Sequence, residues 1–128
     1  MTENIDLDRF LTVQEKTYLF ALKEIKKGRK VNHWMWFIFP QIRGLGNSIQ
    51  SLKYSINSKA EAISYFNHPI LGARLLEILE ELLAIEDKTA KEIFGFKDEI
   101  KLKSSMTLFA NIQTEHKVFN PDYAIGIF

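Results

Sequence analysis

NHWMWFIFPQIRGLG, residues 32–46, decides the fold class. Trp34 to Phe39 are apolar without a break and show neither a helical nor an alternating period. As a strand, the run would demand a sheet around it. As a buried helix, it leaves the chain all-α. The flanks choose between the two. Asn32 is a favourable helix N-cap, and Pro40 disfavours helical backbone in the residue before it. The run is therefore read as a short buried helix opened by Asn32 and ended at Pro40. QIRGLGNS, beginning at Gln41, is a loop, because Gly44 and Gly46 admit backbone angles that other residues resist.

Working outward, the rest of the chain agrees. Leu7, Phe10, Leu11, Tyr18, Leu22 and Ile25 recur at helical spacing, with Asp6 as predicted cap and Gly28 as predicted stop. Ser58 and Glu61 form a capping-box pattern that opens a helix to about Phe66. Pro69 suits the first turn of the next helix. That helix carries Ile70, Leu71, Leu75, Leu76, Ile78, Leu79, Leu82, Leu83 and Ile85 on a wide apolar face and is read as central. Thr89 and Glu92 form a second capping box, opening a single turn that Gly95 closes. A last helix runs from about Asp98 to Ala110. No segment alternates at period two. The expected architecture is a single compact, all-α, multihelical domain over residues 1–119, followed by a tail over 120–128 with room for a short β element.

Composition sets outer limits. The 128 residues suit one domain, and 46% hydrophobic with 26% charged residues is enough for a core without staples. The absence of cysteine excludes disulfides, thiolate metal sites and cysteine nucleophiles. A formal net charge of +1 gives no nucleic-acid signal and no attraction to an acidic membrane. MTENIDLDRF lacks the basic start and apolar core of a signal peptide. No apolar run approaches the roughly 18 residues of a membrane span. A cytoplasmic protein is the expectation.

Two blocks carry residues able to do chemistry. In the first, His33 can exchange protons, bind a metal or donate hydrogen bonds. Its possible co-ligands, His68 and His116, are distant and not at helical ligand spacing, so neither metal nor cofactor is expected. The plainer role for His33 is to brace the aromatic run. Trp34 and Trp36 can be core, or a stacking wall with a polar edge. Together with His33, Gln41 and Arg43, a Trp supplies a ring face, an amide and a fixed positive charge, a set that suits a planar anionic ligand. The glycines of RGLG let backbone N–H groups approach a phosphate, although the P-loop pattern is absent. In the second block, KLKSSMTLF, residues 101–109, hydroxyls inside a helix are unusual. Lys101 and Ser105 share a helix face. A buried Lys can activate a Ser or hold an anion. Alternatively, small hydroxyl residues allow close helix packing. The acids Glu77, Glu80, Glu81 and Glu86 read as a solvated helix face.

The same blocks carry a family resemblance. RF at Arg9, AL.EI..G.K..HWMWFIFPQIRGLG from Ala21 to Gly46, HPILGARL from His68 to Leu75, IFG at Ile93, KLKSSMTLF from Lys101 and VF at Val118 resemble the bacterial domain-of-unknown-function family numbered eighteen-ten. Members are sometimes labelled calpastatin, the name of a disordered repeat inhibitor of cysteine proteases, which this sequence does not resemble in composition. The resemblance implies a single multihelical domain and no specified activity. Family members continue past VF with a helix and a charged tail, whereas NPDYAIGIF here looks foreign to that pattern, as after a truncation or frameshift. Its last six residues, YAIGIF, are apolar without a charged side chain, and are expected to fold back on the domain or to mediate self-association.

The leading functional reading is a domain that binds a small anionic or nucleotide-like ligand between the two blocks. His33 would supply a hydrogen bond or a proton, Trp36 a stacking wall and Gln41 an orienting amide. Arg43 and Lys101 would hold the charge, and Ser104 or Ser105 would face the aromatic segment as hydroxyl donor. Met35, Phe37 and Ile38 are expected in the core. The alternatives are a protein-interaction module and a small hydrolase using Ser105 with Lys101 or His33.

Overall fold

The computed structural model describes residues 5–112 and residue 119. Within these the chain forms seven helices and no strand: α1 (Asp8–Lys26), α2 (Met35–Ile38), α3 (Ile49–Lys53), α4 (Lys59–Asn67), α5 (Leu71–Leu83), α6 (Ala90–Phe94) and α7 (Phe96–Ala110). The all-α reading stands. Calls on His116, Val118 and the tail from residue 120 on, including its β element, lie outside the described residues. Phe119 is buried, with its ring centroid 6.0 Å from that of Phe66. Among the described residues, no helix is long and apolar enough to cross a membrane.

α5 is central, as its apolar face requires. It packs on α1 and α4, and Leu75, Ile78, Leu79 and Leu82 are at most 1% exposed. Each stabilises the fold by about 1.5–3 kcal/mol relative to an exposed position. Its start is fixed by His68, whose Nδ1 accepts from the backbone N–H groups of Ile70 and Leu71 at 3.1 and 3.2 Å. Pro69 occupies the turn between the helices. The Thr89–Glu92 capping box forms in full. At α4 the Ser58 side-chain half of the expected box forms. Ser58 Oγ accepts from the Glu61 N–H at 3.1 Å, but the Glu61 carboxylate turns inward to the Arg9 guanidinium.

α2 is the buried helix expected from the aromatic run, and it sits between α1 and α7. Met35, Phe37 and Ile38 are buried. Four residues cannot hold a helix by themselves, and the sequence reading mistook what holds this one. Asn32 is not the cap; that position falls to Trp34, which makes no side-chain cap bond. The Asn32 amide donates instead to Glu24 of α1 at 2.6 Å. The other end of α2 is fixed by Gln14 of α1, whose Nε2 donates to the Phe37 carbonyl at 2.7 Å. A surface acid and a core amide of α1 therefore clamp α2 at both ends.

The loop after Pro40 contains an unexpected helix, α3, capped by Ser48, whose Oγ accepts from the Ser51 N–H at 3.1 Å. The loop closes on itself through a parallel bridge of Ile42 to Ile56. In it, Ile56 N–H donates to the Gln41 carbonyl and Arg43 N–H to the Ile56 carbonyl, both at 2.8 Å. α7 begins at Phe96, two residues before the expected start, because Gly95 (φ 85°) turns the chain sharply from α6 into α7.

Candidate functional site

Trp34 and Trp36 have opposite fates. Trp34 is core at 1% exposure, and its indole N–H donates to Glu24 at 2.9 Å. The same carboxylate accepts from the backbone N–H groups of Val31 and Asn32 at 2.6 and 2.9 Å. Burial works against its charge, yet these donors outweigh burial and lower the Glu24 pKa to about 2. Glu24 thereby fixes the chain entering α2 and leaves Trp36, two residues on, half-exposed on the other side.

Trp36 forms a wall of two neighbouring cavities. The larger, of about 240 Å³, is bounded also by Lys30, His33, Gln50, Asp98 and Lys101. Asp98 lies between two ammonium groups, with Lys30 Nζ at 2.9 Å from one oxygen and Lys101 Nζ at 3.0 Å from the other. Burial raises the Asp98 pKa, but the two lysines outweigh it and hold the group below its ordinary value. Lys101 Nζ also stands 4.3 Å from the centre of the Trp36 ring, and Lys30 Nζ 5.1 Å from that of Trp34. The Lys30 side chain is only 7% exposed, and its backbone N–H donates to the Ile93 carbonyl at 2.9 Å. His33 is exposed on the rim and its imidazole makes no hydrogen bond to a described residue.

The second cavity is small, about 10 Å³, and lies between Trp36, Gln41, Tyr54 and the Gly44–Gly46 loop. Gln41 is buried, and its Nε2 has no hydrogen-bond partner among the described residues. Such a donor destabilises the fold by about 1–3 kcal/mol. Neighbouring hydroxyls do not satisfy it: Ser51 Oγ donates to the Ser48 carbonyl at 2.9 Å and Ser55 Oγ to that of Leu52 at 3.1 Å, and neither accepts from the amide. On the far side of Ile42 and Leu45, a groove of about 400 Å³ runs along Ile100, Ser104 and Leu108 of α7.

Of the residues expected from sequence, His33, Trp36 and Lys101 meet in the charged cavity, and Gln41 lies behind its Trp36 wall. The others do not join them. Arg43 is exposed and its guanidinium meets Asn57 Oδ1 at 3.4 Å. The Ile42–Ile56 bridge fixes the neighbouring backbone and leaves Arg43 on the outer side. Ser104 lines the apolar groove and donates to the Ile100 carbonyl at 3.1 Å. Ser105 is buried on the inner side of α7 and bonds neither Lys101 nor His33. Lys101 turns to Asp98, three residues back on its own helix, so among the described residues no Lys- or His-activated serine is assembled. Among the described residues, no three His, Asp or Glu side chains gather as a metal site. The reading missed Lys30, Asp98 and Glu24. The first two were findable, since Lys30 lies three residues before His33 and Asp98 three before Lys101.

Residues 4–124 match the family described as "Protein of unknown function (DUF1810)". A similar fold is found in the crystal structure of a conserved hypothetical protein from Mycobacterium tuberculosis, with a TM-score of 0.88 and 43% sequence identity. That match covers 91% of this chain and 84% of the other. No curated protein matches the sequence. The resemblance carried by HWMWFIFPQ and KLKSSMTLF thus extends over nearly all of the sequence, and the chain belongs to DUF1810, a family of proteins of unknown function.

Proposed function

We propose that the chain binds a small anionic, nucleotide-like molecule in the cavity walled by Trp36, with the negative charge on Lys30 and Lys101. The observation that carries this reading is the pairing of two ammonium groups with the single carboxylate of Asp98. Each ammonium has three donors and spends one on Asp98, so donors and a positive charge are left for an anion. The indole beside them offers a planar partner, and exposed His33 a further donor. A volume of about 240 Å³ is just below the roughly 300–1,000 Å³ typical of drug-sized sites, so a mononucleotide is a better fit than a dinucleotide. Thermal-shift titration with nucleoside monophosphates tests the reading. At a hundred times its dissociation constant a ligand adds roughly 2.7 kcal/mol. Lys101→Met should reduce that gain and Arg43→Ala should not. No shift with any nucleotide would remove the reading.

A second reading, a protein-interaction module, is favoured by the neighbouring groove, where Ile42, Leu45 and Ile100 are 41%, 55% and 49% exposed. Ile100→Asp would then abolish a partner contact while leaving nucleotide binding intact.

A further inference from the structure

We infer that the outward face of α1 docks on a bilayer rich in acidic phospholipid. The surface is separate from the charged cavity and stands without it. The buried residues of α1, Phe10, Tyr18 and Ile25 among them, lie on the side that packs against α5 and α2. On the opposite side Lys16, Lys23 and Lys27, spaced seven and four apart, form one row about 17 Å long. Leu19 and Phe20 stand on either side of that row and are 77% and 63% exposed. The three lysines and neighbouring Lys26 are exposed, and none of the four ammonium groups has an ion-pair partner among the described residues. The acids of the helix are turned away from them. Glu15 faces Arg74 of α5 at 3.7 Å, and Glu24 holds the chain entering α2. Glu86 and Asp87 share a surface cleft with Lys26 and Lys27 but reach ion-pair distance of neither. The net charge of +1 thus conceals a helix face with four adjacent, unmatched cations.

The helix dipole accounts for Lys23 and Lys26 in the last turn. It does not account for Lys16 in the middle of the helix, or for two large apolar side chains left in water beside the row. Charge complementarity makes the occupant anionic, and Leu19 and Phe20 require it to offer apolar depth as well. Acidic lipid offers both, with phosphates at the level of the ammonium groups and acyl chains beneath them. Lysine stems lie along such a boundary with their charged ends among the headgroups. A nucleic-acid backbone matches the charge but leaves Leu19 without an apolar contact. α1 presents a ridge, so an acidic protein would have to supply a concave seat, whereas a fluid headgroup layer needs none.

Co-sedimentation of the full chain with vesicles makes the test. Vesicles of equal parts phosphatidylglycerol and phosphatidylcholine should bind it at least about tenfold more strongly than phosphatidylcholine alone, and the excess should vanish in about 1 M salt. Lys16→Gln with Lys23→Gln should lower binding about tenfold or more. Lys59→Gln with Lys97→Gln removes the same charge from exposed positions on α4 and α7 and should leave binding intact. Leu19→Gln with Phe20→Gln should weaken binding several-fold with every lysine retained. The substituted positions are all exposed, so thermal melts of these variants should stay close to wild type and separate lost docking from lost fold. Equal losses in the two lysine pairs would overturn the inference, by reducing the attraction to net charge. Undiminished binding in Leu19→Gln with Phe20→Gln would overturn it as well, since the apolar pair would then take no part. A wild type that ignores acidic vesicles but binds polyglutamate through the same lysines would overturn it in favour of an acidic protein partner, and one that binds neither would leave the face merely solvated.

Discussion

Gly72, in the first turn of α5, lies against the end of α4 so closely that a Cβ there would be 1.9 Å from the Phe66 carbonyl oxygen. That obstacle is backbone, so no rotamer change relieves it. Gly72→Ala should therefore destabilise by more than the about 1–3 kcal/mol usual for overpacking, although alanine is the better helix former. A chemical-denaturation midpoint equal to wild type would refute the close approach. Glu24 gives a second residue-scale prediction. Its pKa lies at about 2 in the folded chain against an ordinary 4.5. Its contribution is whole above pH 4.5 and declines as pH falls toward 2, because the unfolded chain takes up the proton first. Glu24→Gln should cost about 1–2 kcal/mol at pH 7, discounted for partial exposure. Urea midpoints of the two proteins should converge as pH falls through that window. A constant gap would mean that the carboxylate charge does not matter. Neither residue was legible from sequence. Glu24 sits on a helix that reads as amphipathic, and its partners at Val31, Asn32 and Trp34 come close only after the chain turns at Gly28.

At the level of elements, α5 was legible because its period is strong and its partners are generic apolar faces. α2 was legible as buried but not in how it is held, since Gln14 and Glu24 act from another helix. The clamp predicts that α2 behaves as part of α1. Phe37→Ala should cost about 3–5 kcal/mol, since Phe37 is 5% exposed and stacks edge-on against Tyr54 at 5.1 Å. A loss near zero would place Phe37 outside the core. α7 separates two serines that the sequence treats alike. Ser104 bonds its own helix at the edge of the groove, so Ser104→Ala should stay within about 0.5 kcal/mol of wild type. Ser105 is 1% exposed, so enlarging it to Leu should cost about 1–3 kcal/mol. Equal responses in thermal melts would contradict the inside–outside assignment. Helical spacing put Lys101 and Ser105 on one face, but a face is broad enough for one to point at Asp98 and the other into the core.

Across the whole molecule, Arg9 joins segments that helix packing alone leaves apart. From α1 its Nε donates to the Lys53 carbonyl and its Nη2 to that of Ser55, both at 2.8 Å, and its guanidinium pairs with Glu61 of α4. Lys53 and Ser55 lie three residues and one residue before Ile56, which carries the bridge that sets Gln41. The candidate site therefore depends on a group outside it. Glu61 is 2% exposed, so Arg9→Ala leaves a buried carboxylate without its partner and should cost about 3–5 kcal/mol. Glu61→Ala strands the guanidinium but leaves it the two carbonyls, and should cost less. The double replacement Arg9→Met with Glu61→Leu removes both charges and fills their space. It should fall well short of the sum of the single losses if the ion pair is the larger part of the joint. The amide protons of Arg43 and Ile56, bonded across the bridge, report on the other part. Their hydrogen exchange should accelerate in Arg9→Ala and in the double variant alike, because both lose the grip on Lys53 and Ser55. Exchange rates unchanged in both variants would mean that the loop holds its shape without Arg9, and that the candidate site is independent of this joint.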